Sequence, residues 1–143
     1  MKRIQFSQQN QVSRTLGRML LPLLLGIFLL PASAFSKETV HCKYLQSQGQ
    51  NIRLEVSVQS PPPGSLIVIQ QVPVGINIEH ATPPIKKFNK QNGEAKWLFK
   101  GIKPGTFVIE MALDKPIGAG TIKGEVRYMD PVSGAMIKMP ITP

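Results

Sequence analysis

The stretch Asn51-Ile52-Arg53-Leu54-Glu55-Val56-Ser57-Val58-Gln59 decides the fold class. Ile52, Leu54, Val56 and Val58 alternate strictly with Arg53, Glu55, Ser57 and Gln59. Successive side chains of a strand point to opposite faces, so the segment reads as a strand with one buried face and one wet face. A helix would scatter the same apolar residues around its circumference. Ser60-Pro61-Pro62-Pro63-Gly64 ends the strand, because proline has no N–H to give to a ladder.

The same pattern repeats downstream. Ser65–Val72 (SLIVIQQV) is a second strand, apolar on both faces over Leu66–Ile69, and Pro73-Val74-Gly75 breaks it. Ile76 and Ile78 alternate with Asn77 and Glu79, and Thr82-Pro83-Pro84 follows. Ile85–Phe88 is a brief edge strand, with Lys86 and Lys87 discouraging edge-to-edge pairing. Asn92-Gly93 is a hairpin dipeptide. Glu94–Lys100 sets Ala95, Trp97 and Phe99 against Lys96 and Lys100. Thr106–Leu113 aligns Phe107, Ile109, Met111 and Leu113, after which Asp114–Gly120 reads as a loop. Thr121–Met129 aligns Ile122, Gly124, Val126 and Tyr128, and Ala135–Ile141 closes the sheet. His41–Ser47 is a candidate first strand.

About seven to nine short strands result, each bounded by turn residues, and none of these segments holds a helical period. This is an all-β pattern. Two packed antiparallel sheets are the simplest way to bury so many one-sided strands, with a small closed barrel as runner-up.

The N-terminal 34 residues have a different composition. Lys2, Arg3, Arg14 and Arg18 precede the apolar run Met19–Leu30, and Pro31-Ala32-Ser33-Ala34 follows. A basic start, a short apolar run and a small-x-small site make a secretory signal peptide, with cleavage expected after Ala34. As a helix the run spans ~18 Å, short of the ~30 Å hydrocarbon core of a bilayer. The rival is a retained anchor. The expected organisation is a leader over 1–34, an N-terminal segment over 35–50 and a β-sandwich over 51–143. Contact with the membrane is then limited to the leader before cleavage.

The leader also changes the charge reading. The chain carries 17 Lys and Arg against 8 Asp and Glu. Four of the cations and none of the acids lie in the leader, so residues 35–143 have a net charge of +5. Export argues against nucleic acid as partner. The densest basic cluster is Lys86, Lys87, Lys90, Lys96, Lys100 and Lys103, opposed only by Glu94. It is a candidate binding face for an acidic protein or an anionic envelope polymer, and the plain alternative is a solvated lysine face.

Catalytic patterns are weak. His41, Cys42 and His80 are too few for a structural zinc cage, and the single Cys42 excludes an intrachain disulfide. Cys42 reads as inert, as an intermolecular bridge, or as a nucleophile assisted by His41, the last opposed by the alternation of strand neighbours. His80 reads as a surface or turn residue. The acids are scattered singly, and no Gly-x-Ser-x-Gly elbow or phosphate-cradling loop occurs. No cofactor or metal is expected, and the chain reads as non-enzymatic. Trp97 reads as a core anchor rather than a sugar platform, and Met111, Met129, Met136 and Met139 as core filling.

From Asn51 to Ile141 the chain resembles the Ig-like conserved-repeat domains of bacterial secreted and surface proteins. The resemblance rests on Pro63-Gly64, Val72-Pro73-Val74-Gly75, Trp97-Leu98-Phe99, Lys103-Pro104-Gly105 and Gly124-Glu125-Val126-Arg127-Tyr128. It implies an Ig-like antiparallel sandwich serving as a structural, spacing or adhesive module. The expected role is an exported accessory subunit of the periplasm, cell surface or medium that binds through sheet edges and loops. The alternatives are a self-assembling fibre or pilus-like subunit, with residues 35–50 as donor strand, and a carbohydrate-binding module.

Overall fold

A computed structural model describes residues 38–143. The leader, its cleavage point after Ala34, and residues 35–37 lie outside the described residues. Nine strands follow in order: β1 Val40–Gln46, β2 Gly49–Val58, β3 Ser65–Gln71, β4 Ile78–Thr82, β5 Lys87–Asn89, β6 Glu94–Lys100, β7 Gly105–Ile117, β8 Lys123–Met129 and β9 Met136–Ile141.

All pairings are antiparallel, and they build two sheets. The first has the order β1-β2-β7-β4 and the second β5-β6-β3-β8-β9. The inward residues of both sheets form one hydrophobic cluster. The first sheet gives Val40, Ile52, Leu54, Val56, Ile109, Met111 and Leu113, and the second gives Leu66, Val68, Trp97, Val126, Tyr128 and Ile141. This is the coarse arrangement of a β-sandwich.

Alternation in β2 holds through its core: Ile52, Leu54, Val56 and Val58 are buried while Arg53 stays exposed. In β6, Ala95 and Trp97 are buried, and the Trp97 indole N–H donates to the Pro83 carbonyl at 2.8 Å. A buried indole needs such an acceptor.

Two segments differ from the sequence expectation. Asp114–Ile117 is strand rather than loop: β7 continues through Lys115-Pro116 until Ile117 pairs with Gly49. Tertiary pairing overrides the local Pro signal, and Ile117 gains burial in the core. The strand expected over Ile76–Glu79 begins instead at Ile78, as β4, and runs on to Thr82, with a register shift between Ile78 and His80. The candidate first strand His41–Ser47 is β1, which pairs with β2 (Val40 faces Val58 and Cys42 faces Val56) with a register shift between Tyr44 and Gln46.

The turns need particular residues at two places. Gly93 has φ of +69°, and a Cβ there would lie 2.0 Å from the Val72 carbonyl oxygen. Only glycine permits this tight return into β6. In the β8–β9 turn, the Asp130 carboxylate accepts from the Ser133 backbone N–H at 3.0 Å and from the Ser133 hydroxyl. An acid locked into its own turn is a common turn device.

Candidate binding surface

The two outer faces of the sandwich differ in charge. On the first sheet, Lys43 Nζ meets Glu55 Oε1 at 3.0 Å and Arg53 Nε meets Glu110 Oε1 at 2.9 Å. The Ser57 and Thr106 hydroxyls lie 3.0 Å apart, and His80 Nε2 lies 3.2 Å from the Thr82 hydroxyl. These polar groups of the face are paired with one another, Lys43–Glu55, Arg53–Glu110 and Ser57–Thr106 across neighbouring strands and His80–Thr82 within β4.

The second sheet presents Lys87 from β5, Lys96 and Lys100 from β6, Lys123 and Arg127 from β8 and Lys138 from β9. Glu94 and Glu125 are the acids of the same face, and each holds a neighbour on its own strand. Glu94 Oε1 lies 3.2 Å from Lys96 Nζ, and Glu125 pairs with Arg127. Lys87, Lys100, Lys123 and Lys138 have no carboxylate partner among the described residues. Register places these groups in rows: Lys87 opposite Lys96, Lys96 opposite Ile69, and Arg127 opposite Lys138. Neighbouring strands are ~4.8 Å apart, so Lys87 with Lys96 and Arg127 with Lys138 form two side-by-side cation pairs, with Ile69 and Ile67 next in their rows.

Apolar residues lie between the cations. Leu98 is 40% exposed and pairs with Ile67. Met129 and Met136 face each other across β8 and β9 at 46% and 55% exposure. These two methionines correct the expectation of core filling, since strand parity turns them outward while Met111 and Met139 pack inward. Ile69 lies on the same outward face yet is buried, flanked by Lys96 and Glu125. Long charged side chains cover apolar surface with their stems.

The structure divides the six-lysine cluster. Lys87, Lys96 and Lys100 stand on the sheet face, whereas Lys86, Lys90 and Lys103 occupy the connections before β5, between β5 and β6, and between β6 and β7. Lys123, Arg127 and Lys138 complete the face from distant sequence. Only the strand order, which sets β8 beside β3 and β9 beyond β8, joins them to the lysines.

One groove opens at the side of this face. It has a volume of about 510 Å³ and lies between Pro83 and the β6–β7 turn. Phe99 and Phe107 form its floor, with ring centroids 4.9 Å apart, and Lys100 and Lys103 line it.

The other candidates are structural. Cys42 is partly buried on the inner side of β1, and burial pushes its thiol up to about 12. A thiol so raised is a poor nucleophile at neutral pH. His41 lies on the opposite face, 3.8 Å from Glu38. The Tyr44 hydroxyl on β1 donates to Gln70 Oε1 on β3. Gly124 lies against this pair, since a Cβ there would lie 2.8 Å from the Tyr44 oxygen.

No family model, curated protein or solved structure matches the chain.

Proposed function

We propose that this chain is an exported, non-catalytic binding module on an Ig-like β-sandwich, an accessory subunit of a bacterial envelope or its exterior. Its partner is an acidic protein or an anionic envelope polymer, held on the outer face of the second sheet. The inequality of the two faces is the observation that carries this reading. One face pairs its own charges; the other keeps four lysines without carboxylate partners among exposed Leu98, Met129 and Met136. Complementary charge gives such a face its encounter rate and selectivity, and the apolar groups give it holding energy. The leader pattern supports export.

The raised Cys42 thiol and the acids already paired to neighbouring cations support binding over catalysis. A sugar platform at Trp97 is disfavoured, because the ring is 1% exposed with its N–H bonded to Pro83. For strand exchange, the donor segment would have to free Val40–Gln46 from its pairing with β2.

Crosslinking and capture from envelope fractions test the reading. The triple reversal Lys87→Glu, Lys123→Glu and Lys138→Glu is expected to lose the captured partner, while Lys43→Glu on the first sheet retains it. Equal capture by both variants, or no partner in the envelope fractions, sinks the proposal.

A further inference from the structure

The free edge of β6 deepens this reading, and the inference rests on it. Alternate residues of a strand aim their backbone groups at opposite edges. The Lys96 carbonyl points to the β5 side, where it accepts from the Lys86 N–H at 2.9 Å. The Gly101 N–H points to the β3 side, where it donates to the Gly64 carbonyl at 3.2 Å. By parity, Leu98 and Lys100 aim their N–H and C=O groups at the β5 side. Yet β5 ends its pairing at Lys87 opposite Lys96. Beyond that point no strand pairs with this edge among the described residues. The chain before β5 contains Pro83 and Pro84, which have no N–H to offer it.

The groove lies along this open edge. Pro83 forms one wall, fixed by the Trp97 hydrogen bond, and Ile102 and Lys103 stand at the other end. We infer that β6 receives a short extended segment of the partner by strand addition, a segment in which acidic and apolar residues alternate. Its backbone would meet Leu98 and Lys100. Its inward side chains would lie over Phe99 and Phe107, and its outward carboxylates beside Lys100. The groove lining holds two cations and no acid, which sets the sign of the charge. Main-chain bonds supply affinity in strand addition, and alternate side chains supply selectivity.

The test uses the full chain and a fluorescein-labelled peptide with the core Glu-Val-Glu-Val-Glu, followed by anisotropy. Saturable binding is expected. Lys100→Glu with Lys103→Glu weakens it at least tenfold. Leu98→Pro does the same by removing an outward N–H that the sheet itself does not use, an edge position where proline is tolerated. Leu98→Ala, which keeps the N–H, stays within about threefold of the parent on the same edge argument. Trp97 emission confirms that each variant is folded. Absence of saturable binding overturns the inference, as does undiminished binding by Leu98→Pro. Equal competition by polyglutamate overturns it too, since that shows charge without strand addition. Partner capture through the outer face without peptide binding overturns the groove alone and leaves the module reading standing. Loss of both overturns both.

Discussion

The hydroxyl of Tyr44 donates to the side-chain carbonyl of Gln70 across the gap between the two sheets, at 2.5 Å. Tyr44 belongs to β1 at the edge of the first sheet, and Gln70 to the centre of the second. Gln70 is 0% exposed, and its Nε2 has no partner among the described residues. The bond is therefore one half of a buried polar pair whose other half is unsatisfied.

Tyr44→Phe is expected to cost more than a surface hydrogen bond, because it also leaves Gln70 Oε1 without a donor. The cost of such an orphaned group is about 1–3 kcal/mol. The double change Tyr44→Phe with Gln70→Leu removes both partners, and its destabilisation is expected to be smaller than that of Tyr44→Phe alone. Urea unfolding of the four members of the cycle measures this. Equal stability of the parent and Tyr44→Phe contradicts it.

Gly93→Ala is expected to be among the costliest single-methyl changes in the domain. The added Cβ meets the Val72 carbonyl, a backbone atom held in place because the Val72 N–H donates to the Gly93 carbonyl at 3.0 Å. Gly120→Ala is the control: it has φ of +72° with nothing within 4 Å of the added carbon. It bears the left-handed backbone cost of about 1–2 kcal/mol alone. A midpoint for Gly93→Ala equal to that of Gly120→Ala refutes the steric argument.

Stability is expected to fall at both ends of the pH scale. Burial raises the Cys42 thiol from 9.0 to about 12, and burial also raises Tyr44. The native state thus holds these protons after the unfolded chain has released its own. Stability from Cys42 is full below pH 9.0 and is lost as pH rises toward about 12. Hydrogen bonds from Asn77 lower the Asp114 carboxyl, and those from Ser133 lower Asp130. Their contribution is present above the unfolded carboxylate value of about 4 and is lost as pH falls through the lower native values. Urea midpoints across pH 2 to 11 should trace a plateau with two falling limbs. Cys42→Ala should soften the alkaline limb.

Cys42 is expected to resist thiol reagents in the native state. With the thiol near 12, only on the order of one molecule in ten thousand carries the thiolate at pH 8. Reaction with an aromatic disulfide should be slow in buffer and rapid in denaturant. Fast native labelling would show that β1 opens readily.

Much of the strand pattern was legible because alternation is a local signal. The Asn51–Gln59 pattern and Glu94–Lys100 emerge as β2 and β6, with Glu94–Lys100 unchanged in its bounds. Pro116 misled because its local signal says nothing about the partner strand, and Gly49 opposite Ile117 sets where β7 ends. For the candidate face, sequence proximity gathered six lysines, three of which lie in connections. Lys123, Arg127 and Lys138 were hidden because membership of a face depends on strand order. Met129 and Met136 were misassigned because hydrophobicity does not reveal which face of a strand is covered. The Tyr44–Gln70 pair spans 26 residues of sequence and leaves no periodic trace.

The first and last strands touch. β1 contacts β9 although the two strands belong to different sheets. Val40 and Ile141 are both buried in the one core. Val40 and Ile141 thus close the core from the two ends of the described chain, so loss of β9 would uncover the packing around β1 as well as around its sheet partner β8.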